Sequence, residues 1–358
     1  MGVDTAALRR CQMAVDLGAS RTRIHVRDEG LVVDEPSLTA VDARSGSVVA
    51  VGSVAARMLG RVPGHIHVSR PMDSGTVADM DLAQSMLRHM VGRHVLPLRR
   101  GRRRARAVVA VPYGSGPLTR KAAVDALSAL GIRHVELVAA PVAAALGCGF
   151  ETDHAEPVML VDCGATITQI AVVAFGEVIS GTVVPVGGDA IEHAVTEHVL
   201  ARHGLELPTG GPRDICVRLG HDDTFPVTGK DIRSGWARNA AVDAAALRAV
   251  IGVSLVPILD GIGAVLRNLS ADLVVDLAAR GLTMLGGASE IPGIEATIRA
   301  ATGMPVRIEP DPRSRVVDGL ARLIDAKPSR RPAEQPVAPE GPIEATPVTD
   351  VEDFASVA

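Results

Sequence analysis

Met13–Leu17 is an apolar run broken only by Asp16, and apolar and polar positions alternate through Ile24 and Val26, the period of a strand with one face in a core. A small-residue turn, Gly18–Ala19–Ser20, joins the two. Further strand patterns fall near Leu31–Val33, Ser47–Val51, Ala107–Val111 and His134–Val138, and helical spacing at Leu82–Val91 and Leu118–Leu130. The second half opens with the same phrase. An apolar strand, Val158–Asp162, ends in Asp, a turn follows over Gly164–Thr168, and Gln169–Ala174 and Glu177–Val186 read as strands. The pattern then predicts helices at Ala190–His203, around Asp214–Leu219, and over Asp243–Asn268. Strand Leu282–Leu285 leads to a Gly286–Gly287 turn, and a helix over Arg315–Ala326 closes the pattern.

DLGASRT at Asp16 and DCGATIT at Asp162 are therefore two copies of one device, about 146 positions apart. Such a duplication predicts two like domains facing one cleft. The expected layout is a leader over 1–12, a first domain over 13–155 and a second over 156–326, with small outer subdomains at 34–68 and about 205–265. From 327 the composition turns to Pro, Glu, Ala and Ser, which predicts a disordered tail to 358.

Composition narrows the function classes. The 358 residues are 47% apolar but only 2% aromatic, so the core is aliphatic and base stacking on aromatic platforms is disfavoured. A net charge of −4 leaves electrostatic function to local patches. Cys11, Cys148, Cys163 and Cys216 form no CxxC pair and read as buried thiols of a reducing compartment. No run is expected to reach the roughly 18 apolar residues of a membrane span, and no signal peptide is evident, so the expected location is cytoplasmic. The histidines share no ligand spacing with Cys or Asp. Glu35 is expected to pack or cap, and Asp189, Glu192 and His193 suit a helix start whether or not they do chemistry.

A strand ending in Asp and a Gly-rich hairpin entering the next strand make a phosphate grip. Turn N–H groups face the anion, small side chains allow close approach, and the Asp holds hydrated Mg2+ through water. One such hairpin is common; two with a third Gly-Gly turn, in this order, point to the α/β superfold of actin, sugar kinases and heat-shock ATPases, with two duplicated ribonuclease-H-like domains around a nucleotide cleft.

Longer phrases sharpen this. DEPSLTAVDARSGSVVAVGSVAARMLGRVPGHI from Asp34, RPMDSGTVADMDLAQSMLRHMV from Arg70, VVPVGGDAIEHAV from Val183 and GLTMLGGASEIPGI from Gly281 together resemble the MreB/Mbl family of bacterial actin-like cell-shape proteins. The leader and the arginine-rich run resemble actinobacterial members. The resemblance spans roughly residues 13–325 and implies a filament-forming ATP and Mg2+ binder. Asp16, Gly18, Ala19, Ser20 and Arg21 fall on its first phosphate hairpin, where Ala19 lacks the usual hydroxyl and Arg21 brings a cation towards the phosphates. Asp162, Gly164, Ala165 and Thr166 fall on the second. Gly187, Gly188 and Asp189 match the ribose-side turn; Gly286, Gly287 and Ala288 match the adenosine-side turn, after Leu285 in place of Thr. Asp16 and Asp162 are the implied Mg2+ carboxylates.

Two departures bear on chemistry. The family's water-positioning Glu is replaced in Ala139–Ala140–Pro141, and a methyl at Ala140 neither orients nor deprotonates water. Loss of such a group removes about 10²–10⁴ of rate, so at most a weak ATPase is expected. The acidic adenosine-embracing phrase is replaced by Thr209–Gly210–Gly211–Pro212. Six of the eight residues from Arg99 to Arg106 are arginine (Arg99, Arg100, Arg102, Arg103, Arg104, Arg106), next to Leu96 and Leu98. The family's membrane-inserting loop lies there, which implies peripheral binding to an anionic leaflet at the inner face of the membrane. A solvated charge run and a nucleic-acid patch are the rivals, the latter disfavoured by scarce aromatics and acidic balance. The implied partners are further copies of the chain, the membrane and cell-wall synthesis proteins. The alternatives are a non-polymerising adapter that binds filaments, and a sugar-kinase-type enzyme, for which no sugar-site phrase is found.

Overall fold

Two five-stranded sheets repeat one topology, and the repeat follows the duplicated sequence. The computed structural model describes residues 5–100, 105–128, 130–151, 156–219 and 223–325, without the side chains of 5–6 and 92–100. The chain divides into two units, Met1–Ala326 and Lys327–Ala358; the second, with the expected tail, lies outside the described residues.

The first lobe begins with helix α1 (Thr5–Leu8) and strands β1 (Met13–Leu17), β2 (Arg21–Val26) and β3 (Gly30–Pro36). An outer insert follows, with β4 (Thr39–Asp42), β5 (Ser47–Val51), α2 (Ser53–Met58) and β6 (Ile66–Ser69), then the short hairpin β7 (Met72–Asp73) and β8 (Thr76–Val77). Helix α3 (Met80–Arg100), β9 (Arg106–Val111), α4 (Pro117–Ser128), β10 (His134–Ala139) and α5 (Ala140–Gly147) complete it. The second lobe runs β11 (Val158–Cys163), β12 (Thr168–Ala174), β13 (Glu177–Val184), α6 (Gly188–His203), β14 (Leu205–Glu206) and α7 (Gly211–Arg218). It continues through β15 (Thr224–Asp231), β16 (Ala237–Asp243), α8 (Ala244–Arg267), α9 (Ala271–Arg280), β17 (Leu282–Leu285), a 3-10 turn (Gly287–Glu290), α10 (Ile294–Thr302), β18 (Val306–Ile308) and α11 (Arg315–Asp325).

Sheet one orders its strands β3-β2-β1-β9-β10 and sheet two β13-β12-β11-β17-β18. In each, three antiparallel strands are extended by two parallel ones. Helices α5 and α11 cross between the sheets. Their Ala143, Ala144, Val316 and Leu320 join Ala14 and Val108 of sheet one to Leu160 and Val173 of sheet two in one buried cluster. Leu8 and Cys11 of the leader are buried in that same cluster, so this part of the leader belongs to the core.

The outer inserts are two three-stranded sheets, β5-β4-β6 and β14-β15-β16. In the first, Glu35 accepts a hydrogen bond from the Ser53 N–H at 2.8 Å and one from its hydroxyl, capping α2. The last strand of the second ends at Asp243. Asp243 accepts from the N–H groups of Ala245 and Ala246 and starts α8, which turns back against α6, β12 and β13. At 24 residues α8 is long and apolar enough to cross a membrane by length and composition, contrary to the expectation of no such run. In the fold its Leu247, Ile251, Leu255, Ile258, Ile262 and Val265 face the core of the second lobe. All four cysteines are free, three of them buried.

Candidate functional site

Both Asp-x-Gly hairpins are built alike. In the β1–β2 ladder Asp16 stands opposite Arg23, and in the β11–β12 ladder Asp162 stands opposite Gln169. Gly18 N–H donates to the Arg21 carbonyl at 3.1 Å, and Gly164 N–H to that of Ile167 at 3.0 Å. A Cβ at Gly18 would sit 2.7 Å from the Arg21 oxygen and one at Gly164 2.9 Å from the Ile167 oxygen, so each turn closes only on glycine. Fully buried threonines anchor both: Thr22 bonds Ser37, whose hydroxyl donates to the Gly18 carbonyl at 2.6 Å, and Thr168 donates to the Val186 carbonyl at 2.7 Å.

The remaining turns dock on these hairpins. Gly188 N–H donates to the Gly164 carbonyl at 2.9 Å and Asp189 N–H to that of Ala165 at 2.8 Å, which fixes the start of α6 beside the second hairpin. Gly286 N–H donates to the Pro312 carbonyl at 2.8 Å. One cleft is lined by Asp16, Gly18, Ala19, Ser20, Arg21, Asp162, Gly164, Ala165, Thr166, Gly188, Asp189, Gly286, Gly287 and Ala288. Gly187 stands behind this lining, its backbone packed on Gly164 and Ala165. Ala140, 6% exposed, also lines the cleft and offers only a methyl.

Burial dominates the electrostatics. Desolvation raises the Asp16 carboxyl to about 6, with Arg23 opposing and Asp34 adding to the rise. Asp162 is raised to about 7, again by desolvation first, then by the charge of Asp16, against Arg23. Two such carboxylates in one cleft favour an added cation. Among the described residues no group of three or more His, Cys, Asp or Glu could hold a metal directly. Asp16 and Asp162 are the carboxylates here that could face a hydrated cation, since Mg2+ usually keeps several of its waters and takes few protein ligands.

The lobes meet across the cleft at Arg70 with Asp189, at Ser74 N–H with the Thr166 hydroxyl (3.1 Å), and at Tyr113 N–H with Gln169 Oε1 (2.9 Å). On the Gly286–Ala288 side, Arg213 pairs with Glu192 at 3.6 Å and Arg313 with Glu290. Sequence reasoning missed Arg23, Gln169, Arg70, Arg213 and Arg313. The first two had a signal: Gln169 is the copy of Arg23 at the hairpin offset, on the strand face that carries each Asp.

The Arg21 guanidinium lines the cleft while paired with Asp34, its Nε 2.6 Å from the carboxylate and its Nη2 bonded to the carbonyl. One expected site feature is corrected. Arg106 belongs to β9, its N–H bonded to Gln12 Oε1 at 2.9 Å, and is a sheet residue instead of a loop residue. Leu96, Leu98, Arg99 and Arg100 lie within helix α3, with side chains outside the described residues; Arg102, Arg103 and Arg104 lie outside them altogether.

The duplicated sheets, the helix pair between them and the cleft with two Asp hairpins define the actin-like α/β class. A family model described as MreB/Mbl protein matches residues 10–330, and the chain belongs to the MreB/Mbl family. It is 28% identical over 319 residues to the cell shape-determining protein Mbl of Bacillus subtilis, covering 87% of this chain and 95% of that one. A crystal structure of MreB5 of Spiroplasma citri bound to AMPPNP superposes with a TM-score of 0.80 at 25% identity, over 86% of this chain and 93% of the other. MamK in its double helical filament shares the fold, with a TM-score of 0.71 at 18% identity over 88% and 99%.

Proposed function

We propose that this chain is an actin-like filament protein that binds ATP with Mg2+ in the cleft and assembles with further copies of itself. It acts at the inner face of the membrane and helps determine cell shape by organising cell-wall synthesis. The observation that carries the reading is the pair of like-built Asp hairpins facing one cleft. Asp16 and Asp162 would hold the hydrated ion, and the turn N–H groups of both hairpins would face the phosphates. Gly286, Gly287 and Ala288 would border the nucleoside. The cell-level role follows the name of the B. subtilis relative, and the nucleotide follows the AMPPNP of the S. citri neighbour. Hydrolysis is weak, since Ala140 contributes no group to orient water.

A second reading, an adapter that joins filaments made by other proteins, is favoured by the same Ala140 and by the hydroxyl missing at Ala19. Electron microscopy of the purified chain on anionic lipid separates the two. ATP-dependent filaments that are lost when Arg99–Arg104 are neutralised support the membrane-bound polymer. A monomer under every condition overturns it in favour of the adapter.

A further inference from the structure

Arg23 is the cleft residue that the two hairpins leave unexplained. It lies on β2 directly opposite Asp16, whereas its copy opposite Asp162 is the neutral Gln169. It is 7% exposed, yet its side chain lines the cleft. Its ion pairs are long for a guanidinium with five donors: Nε lies 3.2 Å from Asp34 Oδ1 and Nη1 3.8 Å from Asp16 Oδ2. Asp34 is already held at 2.6 Å by Arg21. Arg23 also acts at a distance on the second carboxylate, opposing the rise at Asp162 as it does at Asp16. A permanent cation therefore stands beside Asp16 and within electrostatic reach of Asp162, in a buried place where a charge needs a compelling partner.

We propose that Arg23 is a tethered cation for the nucleotide's phosphates, taking over part of the divalent ion's neutralising role. The chain then holds a nucleoside triphosphate with little dependence on Mg2+. A guanidinium stays charged at any working pH, and its planar fork matches two phosphate oxygens at once. Fixed to a strand and 7% exposed, it loses little freedom when the ligand arrives. The inference rests on reading the cleft as a nucleotide site.

The test is equilibrium titration of a fluorescent ATP analogue, with Mg2+ and with EDTA, on the full chain and on Arg23→Leu and Arg23→Lys. The wild type should lose less than about threefold in affinity without Mg2+. Arg23→Leu should lose about 10–100-fold in EDTA, the scale of a charge-assisted hydrogen bond or two, and far less with Mg2+ present. Arg23→Lys should keep most of the metal-free binding. A wild type whose binding collapses in EDTA as steeply as that of Arg23→Leu overturns the proposal and leaves Arg23 a counter-ion of Asp16 and Asp34. Should Arg23→Leu fail to fold, the wild-type and Arg23→Lys ratios decide alone. No binding by the wild type in either condition overturns the nucleotide reading and this inference together.

Discussion

Arg70, between β6 and β7 in the first lobe, is hydrogen-bonded through its guanidinium to the carboxylate of Asp189 in the first turn of α6 in the second. Both side chains are more than a third exposed, so the pair contributes at most about 1 kcal/mol to stability. Its effect is geometric: together with the Ser74–Thr166 bond it ties the rim of one lobe to the other beside the second phosphate hairpin. Arg70→Ala should therefore leave the denaturant midpoint nearly unchanged while nucleotide dissociates several-fold faster, measured by stopped-flow chase. An unchanged dissociation rate would mean that the rim contact gates nothing.

The raised carboxyls make a pH prediction with a definite sign. Asp16 and Asp162 titrate near 6 and 7 when folded, against 3.8 as the ordinary value. Between about pH 4 and pH 7 the folded chain therefore binds more protons than the unfolded one, and this contribution to stability falls as pH rises through that window. Above it the loss is complete and flat. Asp162→Asn removes one of the two buried charges, so the ligand-free variant should melt several degrees higher than the wild type at about pH 7.5 and close to it at about pH 4. Scanning calorimetry checks this. A variant less stable than the wild type at the higher pH would show that the carboxylate is well compensated in the folded chain.

Much of this architecture was legible because its signals were periodic. β1, β5 and β17 have the residue limits that the strand patterns assigned, and the repeated Asp-x-Gly phrase announced two equivalent hairpins. What escaped notice lacked a period. Helix α5, Ala140–Gly147, is almost wholly apolar and small, so no face stands out until α11 covers it. Strand β15 alternates cleanly through Phe225, Val227 and Gly229, but Pro226 and Gly229 both argue against a strand. β14 pairs only with Lys230 and Asp231, so at Pro226 the missing N–H faces an unpaired side. The cleft was legible as backbone turns and not as charges. Strand parity places Arg21 and Arg23 on one face, and the carboxylate they share, Asp34, lies on the next strand, beyond any local pattern.

The crossing of α5 and α11 holds the two sheets together and gives a sharp test of packing. A Cβ at Gly319 would lie 1.7 Å from the Ala143 carbonyl oxygen and 2.6 Å from its carbon, so α11 could not keep its approach. In an exposed helix, Gly→Ala stabilises by about 1 kcal/mol. Here Gly319→Ala should reverse that sign and cost about 3 kcal/mol or more, since backbone must move against backbone. Chemical denaturation of the soluble variant measures the cost. A neutral result would show that the helices separate freely, and the lobes would then not share a rigid core.

Ala140 offers the most direct test of the proposed weak hydrolysis. It begins α5 immediately after β10, is buried, and lines the cleft that also holds Asp16 and Asp162. Ala140→Glu would place a carboxylate where family resemblance puts the water-positioning group, on a short helix held rigidly by α11. The added charge joins two carboxylates that burial already pushes up, so it too would titrate high, towards the range suited to a general base. Phosphate release by the variant should rise by about 10²-fold over the wild type, the lower end of what such a group supplies. The rise should follow a titration above the ordinary carboxylate range. Ala140→Gln, with similar bulk and no basicity, should orient water without accepting its proton and recover less. Equal activity in both variants and the wild type would mean that Ala140 does not limit hydrolysis, with the Ala19 and Ala165 turns as the next residues to vary.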